Sequence, residues 1–589
     1  MRRRRAHQRG VAVALALLVA SLAACDARPV GRTPDREPAA RAPSDARTTP
    51  PRTPAPDASP APSPRGIPIA EAPLVRTRMV GADAIEMVDA RTDHVILSPT
   101  GQPVWEPLDQ SNPASRPRLT LAPTGDGFDL ILEYHNTTNR RASLGRVTIG
   151  GFRFGNVIHT RDFRYDGKES TLEHSGRPVA PGGWYYPDGW YAPVLALRED
   201  PYTVGVSVQY PIMEYKHQVR MRVATTRGRF AREGLPWVAE IFLNPEAPDI
   251  NKYSPEGDLA PGERRRYVVS VRIARQGRPW VETFAPYRDY FHQTYGGVAY
   301  ERDPRPVHGV SVAVRGRQSR DNPYGFTREN LRPDRHGWKP WVDLLVARRQ
   351  TGWERVMVWS PSGVAPGGAD RAHVFRFVSP WMDAAGRGMR TGDGVSEFRR
   401  VGLNGVDLGF WWGRSAQVLD DWSDENPEEL DPDNPTHVAR AFRELDLAVE
   451  SGVTTIGLGA FRRMPAWRAE RWLEMMQDRA PGVRFVLEPI SGDVLHRLAP
   501  AFLVATRPAQ AADLRLEAPH ALADYLLPGH ETWGLIRRDR LESFLGRSAT
   551  DADAASEARR VAALGYVPVV GFHIEARGAF EAAESWDVD

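Results

Sequence analysis

The sequence has very little cysteine and little net charge. Cys25 is the only cysteine among 589 residues, so an internal disulfide, a zinc site built on four thiolates and a redox pair of thiols are excluded. The formal net charge is +3, and no basic stripe interleaved with aromatic residues occurs beyond the N-terminus. We therefore predict that nucleic acid is not a partner.

Several motifs of metal and cofactor chemistry are also missing. No serine nucleophile elbow occurs, and the glycine-rich run GVAPGGAD at 363–370 has no lysine where a phosphate-binding loop requires one. The acidic run at 420–434 lacks the ligand spacing and the central glycine of an EF-hand loop. His573 and Glu575 share a face of a predicted strand, but no paired-histidine motif of metal hydrolases accompanies them. We predict no metal and no cofactor.

The longest apolar run lies at the N-terminus. Four arginines at 2–5 precede the run Val11–Ala24, which ends in small residues, as in a secretory signal peptide. The run is shorter than the ~20 residues that a helix needs to cross ~30 Å of hydrocarbon, and no later segment is apolar enough to span. Residues 1–24 are predicted to be a signal peptide that exports the chain from the cytoplasm.

The end of this run resembles the cleavage box of bacterial lipoproteins. That box places an aliphatic residue three positions before an invariant cysteine, with small residues between them, and LAAC at 22–25 matches it. The resemblance implies that Cys25 is lipidated, becomes the first residue of the mature protein and holds it on a membrane of the cell envelope through acyl chains. The alternative is an ordinary signal peptide with an incidental cysteine.

Residues 25–65 are rich in proline, alanine, arginine, serine and threonine and contain almost no large apolar residue. Such a segment cannot bury enough surface to offset its ordering entropy, so we predict a disordered linker. At roughly 3 Å per residue it extends up to ~100 Å from the lipid anchor.

Alternating apolar residues follow the linker, as in FDLILEY at 128–134 and YTVGVSVQY at 202–210. A period of two bounded by turn residues predicts half-buried antiparallel strands, and we predict a β-sandwich domain over 66–278. The turn and strand that begin at LAPGERRR, 259–266, resemble the closing edge of the sandwich domains that precede catalytic barrels in many carbohydrate-active enzymes.

Two aromatic segments belong to this part of the chain. The loop GGWYYPDGWY at 182–191 suits stacking on sugars, but packing of its own rings against the sandwich is the preferred interpretation. A helical connector is predicted over 279–305, where Phe284, Tyr287 and Phe291 have helical spacing and are expected in an interdomain core.

From 306 to 589 short apolar strands alternate with longer helical stretches, which predicts a (β/α)₈ TIM-type barrel. Omitting the first strand leaves seven strands and an incomplete barrel. The predicted strands are GVSVAV 309–314, RVMVWS 355–360, VDLGFWW 406–412, VTTIGLGAF 453–461, VRFVLEP 483–489, AFLVAT 501–506, ADYLLPG 523–529 and VPVVGFHIE 567–575.

The loops after barrel strands form the mouth where barrel enzymes place their chemistry. Tryptophans beside carboxylates and cations at these positions suit sugar binding, because an indole stacks on the apolar face of a pyranose. Neighbours on a strand face opposite sides, so at least one residue of the adjacent tryptophan pair is expected to point away from the lumen. The predicted substrate-binding residues are Trp359, Trp411, Trp412, Arg414, His530 and His573.

Hydrolysis of a glycosidic bond requires two carboxyl groups. Glu488 lies in VLEPI, which resembles the Asn-Glu-Pro motif that carries the acid/base at the fourth strand in a clan of barrel glycosidases, although Leu487 replaces the asparagine. Its predicted catalytic partner is Glu531 if the barrel has eight strands, or Glu575 if it has seven. The alternative for each glutamate is an ion pair with one of the arginines of the mouth.

The sequence thus predicts a multidomain envelope lipoprotein in which an antiparallel β-sandwich precedes a glycoside-hydrolase-like (β/α)₈ barrel. The expected partners are a glycan or polysaccharide and, through the lipid, a membrane. A noncatalytic glycan-binding or envelope-structural protein with a degenerate barrel is the alternative.

Overall fold

The computed structural model describes residues 73–570 apart from 81–84, 100–104, 108–116, 143–146, 155–156, 165–169, 174–185, 188–189, 200, 217, 226–236, 245–257, 276, 314–316, 360, 362–393, 413–414, 419–427, 460, 462–463, 488–491 and 506–520. The described residues all fall within one compact unit, Glu71–Asp589. The predicted signal peptide, lipidation site and linker lie outside them. None of the described helices is long and apolar enough to cross a membrane.

The first part of the described chain, which we call the β region (residues 73–275), contains two antiparallel sheets of seven strands each. The first sheet has the order β1-β2-β3-β7-β13-β12, with β4 paired to β7, and its strands are β1 Val75–Met79, β2 Ile85–Asp89, β3 Val95–Pro99, β4 Trp105–Pro107, β7 Val147–Phe154, β12 Gln218–Thr225 and β13 Trp237–Asn244. The second has the order β5-β6-β14-β11-β10-β8-β9, and its strands are β5 Arg118–Thr124, β6 Gly127–His135, β8 Val157–Arg164, β9 Ser170–Glu173, β10 Trp190–Glu199, β11 Tyr202–Gln209 and β14 Arg264–Arg275.

The apolar alternation in the sequence accounts for these strands. In β6 the side chains of Phe128, Leu130, Leu132 and Tyr134 are all buried, as their spacing predicts. β14 pairs with both β6 and β11 and is buried along most of its length, because its central position leaves no free edge. The prediction of antiparallel strands in this region is confirmed.

The second part of the described chain is a closed barrel of eight parallel strands. β15 pairs with both β16 and β24, which closes the ring. The predicted count of eight is confirmed, and the seven-strand alternative is wrong. The strands are β15 Val307–Ser311, β16 Arg355–Trp359, β17 Asp407–Trp412, β20 Val453–Leu458, β21 Arg484–Leu487, β22 Ala501–Ala505, β23 Glu531–Leu535 and β24 Val567–Val570; the short antiparallel pair β18 Gln417–Val418 and β19 Glu428–Glu429 follows β17.

Helices connect the strands, and the helix after β19 illustrates why they form. Asn434 caps it by accepting a hydrogen bond from the Thr436 amide at 3.0 Å, and Pro435 occupies the first turn. The described α-helices are α1 Ile212–Tyr215, α2 Ala285–Tyr295, α3 Pro333–His336, α4 Lys339–Arg348, α5 Gly394–Leu403, α6 Pro435–Glu450, α7 Ala466–Arg479, α8 Asp493–His496, α9 Ala521–Leu526, α10 Arg538–Leu545 and α11 Asp551–Ala563.

The predicted strand at 523–529 is wrong. Residues 521–526 form α9, and the seventh strand of the barrel is β23, which begins at Glu531. Leu522, Ala523 and Leu526 are buried at helical spacing, a pattern that a short apolar run does not distinguish from a buried strand. The correction moves Glu531 from the end of a strand to the start of one.

Strand alternation divides the barrel side chains between a lumen and an outer wall. Side chains on the outer face, such as those of Val310, Phe410 and Ile456, join the main core that packs against the helices. The buried apolar side chains of the lumen are Val307, Met357, Trp359, Trp411, Val486, Ala501, Leu503, Trp533, Leu535, Val567 and Val569.

The β region and the barrel pack against each other beside β21 and β22. The helix between these strands, α8, has only four residues, and Tyr186, Tyr191 and α2 cover this part of the wall. The ring of Tyr191 lies 5.9 Å from that of Phe502, and Tyr287 and Phe291 of α2 are buried. The aromatic residues of α2 are thus in a core between the two parts, as predicted. Tyr186 and Tyr191 of the aromatic loop pack on the barrel.

Candidate functional site

Two tryptophans lie side by side in the lumen at the carboxyl ends of their strands. Trp359 ends β16, and Trp411 is the next-to-last residue of β17 and its register partner. Their ring centroids are 5.5 Å apart and the ring planes differ by 23°. The residues are 5% and 7% exposed, so the stacked indoles form the base of the mouth.

A glycine makes room for this stack. Gly457 of β20 pairs with Trp411, and a Cβ atom on Gly457 would lie 1.9 Å from Trp411 Cε3. Gly409 of β17 has the same role one layer lower, where a Cβ would lie 2.8 Å from the terminal methyl of Met357. Met357 of β16 and Trp411 of β17 therefore each have a glycine as their neighbour on the next strand.

Trp412 faces the other way. It is 4% exposed and belongs to the core outside the barrel wall, whereas Trp411 belongs to the lumen. The expectation that the adjacent pair points to opposite sides is confirmed. The prediction that Trp412 binds substrate is contradicted, because strand alternation turns its side chain toward the helices.

Ser311 is a lumen residue that the sequence reasoning missed. It ends β15, shares the lumen face with Val307 and is the register partner of Trp359. It is 3% exposed, and its hydroxyl has no hydrogen-bond partner in the described part of the chain. The alternation from Val307 to Ser311 was visible in the sequence, but a hydroxyl on a short strand gives no functional signal by itself.

The amino ends of the strands form a charged floor at the other end of the lumen. Glu531 begins β23, while Arg355 and Arg484 begin β16 and β21. The Glu531 carboxylate accepts hydrogen bonds from Arg484 Nη2 at 2.6 Å, from the Asp303 amide at 2.8 Å and from Trp533 Nε1 at 2.8 Å. Arg355 Nη2 lies 3.6 Å from the same carboxylate.

Glu531 therefore cannot act at the mouth. It is fully buried, and parallel strands bring all their amino ends to one end of the barrel, opposite the end that carries the chemistry in TIM barrels. The prediction that Glu531 is a catalytic partner of Glu488 is contradicted. Glu531 instead forms ion pairs with arginines, which was the alternative considered for each glutamate. These arginines lie in the floor of the barrel and not at its mouth.

His530 also lies near the floor. It is 3% exposed, and its Nε2 lies 3.0 Å from Nδ1 of His496. Burial lowers the pKa of His530 to about 3, so the imidazole is neutral at neutral pH. Its position just before β23 contradicts the prediction that it binds substrate at the mouth.

Asp493, another carboxylate near the predicted site, is buried against the β region. It accepts hydrogen bonds from the hydroxyls of Tyr186 at 2.7 Å and Tyr287 at 2.6 Å. Burial raises its pKa to about 7, although these hydrogen bonds act in the opposite direction. Asp493 thus joins the aromatic loop, α2 and the barrel.

The remaining predicted site residues, Cys25, Arg414, Glu488, His573 and Glu575, lie outside the described residues. The part of the chain that the structure describes contains no group of three or more histidine, cysteine, aspartate or glutamate side chains able to hold a metal ion. The described site thus consists of the stacked indoles, Ser311 and the two glycines.

Comparisons with known proteins give similar solved structures only. No family model matches the chain, and no curated protein matches it in sequence. An α-galactosidase from Thermus thermophilus in complex with stachyose is 10% identical, with a TM-score of 0.42 over 80% of this chain and 98% of that one. The glycoside hydrolase domain of PelA from Pseudomonas aeruginosa is 13% identical, with a TM-score of 0.25 over 45% of this chain and 94% of that one. An α-amylase from Lactobacillus plantarum is 10% identical, with a TM-score of 0.29 over 45% and 70%. All three are glycoside hydrolases.

Proposed function

We propose that this protein hydrolyses or binds glycans at the mouth of its barrel. The observation that carries the proposal is the stacked pair Trp359 and Trp411 at the carboxyl end of a closed parallel barrel, the end where TIM-barrel enzymes act. Paired indoles provide the apolar, polarisable surface that the C–H faces of sugar rings require.

Glu488 is the proposed general acid/base. In its support, Glu488 comes directly after β21 in the sequence, and Val486 of that strand has its side chain in the lumen. With Glu531 in the floor, Glu575 is the proposed partner; it follows β24, whose Val567 and Val569 also face the lumen. Two carboxyl groups are what either stereochemical course of glycoside hydrolysis needs.

A noncatalytic glycan-binding protein is the second proposal. It is favoured by the burial of Glu531 in the floor, which removes one of the three candidate carboxylates, and by Leu487 in place of the motif asparagine. A barrel without a working acid pair would keep the indoles and bind without cutting.

We further propose that the two antiparallel sheets are the layers of a β-sandwich over 66–278 and that Cys25 carries the lipid. The linker 25–65 would then present both folded parts above an envelope membrane. Labelling of expressing cells with an alkynyl fatty acid should mark the wild-type protein and not the Cys25→Ser variant, which should also leave the membrane fraction. Labelling of both proteins would refute the assignment of Cys25.

The test of the main proposal measures release of reducing ends and binding on one panel of α- and β-linked oligosaccharides. For a hydrolase we expect Glu488→Gln and Glu575→Gln to lower kcat by roughly 10²–10⁴-fold while binding persists. Glu301→Gln is the matched control, because Glu301 is exposed and precedes the barrel. Hydrolysis that survives Glu488→Gln unchanged would overturn this site assignment, and binding without cleavage by the wild-type protein would establish the second proposal.

A further inference from the structure

The hydroxyl of Ser311 is buried in the lumen without a partner in the described part of the chain. Other buried serines of the barrel are satisfied: Ser415 donates to the Gly459 carbonyl at 3.0 Å, and Ser451 donates to the Leu447 carbonyl at 2.7 Å. The carbonyl of Ser311 itself accepts from Thr327 Oγ1 at 2.9 Å. The Ser311 hydroxyl thus has no described partner, whereas its backbone carbonyl is paired.

A buried hydroxyl without a hydrogen-bond partner lowers the free energy of unfolding, because its desolvation is not compensated. Such groups are rare in folded proteins and need an explanation. A trapped water is a poor one here, because a buried water requires two to four polar partners. Trp359 and Trp411, the described register neighbours of Ser311 in this layer, present large apolar ring surfaces. A ligand that carries both a hydroxyl group and an apolar face matches this combination better than water does.

We propose that Ser311 binds a hydroxyl group of the glycan, while the sugar ring lies against the edges of Trp359 and Trp411. This assignment rests on the proposed function. Ser311 and Trp359 are register partners on neighbouring strands about 4.8 Å apart, a spacing that one pyranose ring bridges. A serine hydroxyl both donates and accepts, so it can pair with a sugar hydroxyl in either direction.

The charges of the lumen support a neutral ligand group. The described lumen charges, Arg355, Arg484 and Glu531, lie in the floor, where both arginines pair with Glu531 and Arg355 also pairs with Asp303. Trp533 separates them from the upper layer, because its indole donates to Glu531 and its ring lies 5.3 Å from the Arg355 guanidinium. A neutral sugar hydroxyl bound to Ser311 therefore lies next to no charged side chain among the described residues.

The experiment compares Ser311→Ala with two serines of the β region in the full-length protein. Ser207 is buried and its hydroxyl also lacks a described partner, whereas buried Ser270 donates to Asp129 at 2.6 Å. Saturation-transfer NMR with neutral gluco-, galacto-, manno- and xylo-trisaccharides selects a binding probe, and calorimetry gives its affinity. Melting temperatures are measured for all variants without sugar.

We expect Ser311→Ala to weaken the selected trisaccharide by roughly 2- to 13-fold, the loss of one neutral hydrogen bond, and Ser207→Ala and Ser270→Ala to leave affinity unchanged. Without sugar, Ser311→Ala and Ser207→Ala should melt at or above the wild-type temperature, and Ser270→Ala below it. A lowered melting temperature for Ser311→Ala would overturn the assignment, since its hydroxyl would then have a partner within the protein.

Two other outcomes distinguish a wrong assignment of Ser311 from a wrong proposed function. If the wild-type protein binds a trisaccharide and Ser311→Ala binds it equally well, the assignment of Ser311 is wrong and the proposed function stands. If the wild-type protein binds no glycan on the panel, the proposed function fails and the assignment of Ser311 fails with it.

Discussion

Asp493 and Glu531 are both fully buried carboxyl groups, but the chain stabilises them in different ways. Glu531 is neutralised by guanidinium groups in the floor. Asp493 receives hydrogen bonds from two tyrosine hydroxyls, which are neutral. A buried carboxylate without compensating charge is disfavoured relative to the acid, which is why burial raises the pKa of Asp493 to about 7.

The pKa of Asp493 predicts a pH dependence of stability. The native carboxyl group binds its proton below about pH 7, whereas the ordinary value in an unfolded chain is 3.8. The native state therefore holds more protons between these values, and the free energy of unfolding falls as the pH rises through this window, by up to about 4 kcal/mol from 1.36 kcal/mol per unit. Urea unfolding at pH 5, 6, 7 and 8 should show this fall in the wild-type protein and a smaller one in Asp493→Asn.

The matched control is Asp433→Asn, because Asp433 is an exposed aspartate of the barrel. We expect it to retain the wild-type difference between pH 5 and pH 8. An unchanged pH dependence in Asp493→Asn would show that Asp493 keeps an ordinary pKa and that its contacts with Tyr186 and Tyr287 differ from those described.

Glu531 carries a prediction about stability rather than catalysis. Glu531→Gln leaves half-buried Arg484 without its counter-charge and buried Arg355 with Asp303 as its remaining partner, and breaking a buried pair costs about 3–5 kcal/mol. Asp446→Asn breaks the exposed pair with Arg479 and should cost less than about 1 kcal/mol. Denaturant unfolding distinguishes the two. A loss for Glu531→Gln no larger than that for Asp446→Asn would contradict the floor as a desolvated ionic network.

At the scale of elements, the strands of the barrel fit together by matching large side chains with glycines. Trp359 and Trp411 fit in one layer because Gly457 has no side chain there. Met357 lies in the layer below, beside Gly409. This complementarity positions the indoles of the proposed site by packing, since protein interiors tolerate little overlap.

Gly457→Ala should disturb the stacked indoles. A Cβ atom 1.9 Å from Trp411 Cε3 forces the ring or the strand to move, and overpacking of this kind costs about 1–3 kcal/mol. Near-ultraviolet circular dichroism should lose the signal of the Trp359–Trp411 stack. The control is Gly482→Ala, where a Cβ meets no atom within 4 Å and stability should change by less than about 0.5 kcal/mol. An unaltered spectrum in Gly457→Ala would contradict the described packing.

The sequence was informative about elements that repeat a simple pattern. Seven of the eight predicted barrel strands overlap the observed ones, because each is an apolar run with β-branched residues between turn signals. The run 523–529 failed, since Leu522, Ala523 and Leu526 suit a short buried helix equally well. That single error moved His530 and Glu531 to the wrong end of the barrel.

Contacts between residues that are distant in the sequence could not be predicted from the periodicity of apolar residues. Alternation separated Trp411 from Trp412, but nothing in the local sequence of Ser311 indicated an unpaired hydroxyl, and nothing near Asp493 indicated its tyrosine donors at 186 and 287. These features depend on which distant segments meet, and that is decided by packing of the whole chain.

At the scale of the whole molecule, the β region completes the barrel. Because the helix α8 has only one turn, part of the barrel wall at β21 and β22 is covered by Tyr191 and by α2. Tyr287 of α2 also donates a hydrogen bond to Asp493 of α8. His292 of α2 also lies with Nε2 2.5 Å from the Leu526 carbonyl of α9. Separating the two parts would expose this apolar and polar surface together, so we expect them to unfold as one cooperative unit.

Gly492→Ala tests this coupling. The backbone at Gly492 has φ −68° and ψ 154°, which alanine adopts freely, but its Cβ would lie 2.8 Å from Pro187 Cβ of the β region. The clash acts only between the two parts, so we expect a fall of about 1–3 kcal/mol together with a broader or divided transition in scanning calorimetry. Gly482→Ala, at an open turn, should retain the single sharp transition of the wild-type chain. Two separate transitions already present in the wild-type chain would contradict the cooperative unit, whereas a sharp, unshifted transition in Gly492→Ala would show that the contact with Pro187 contributes nothing to it.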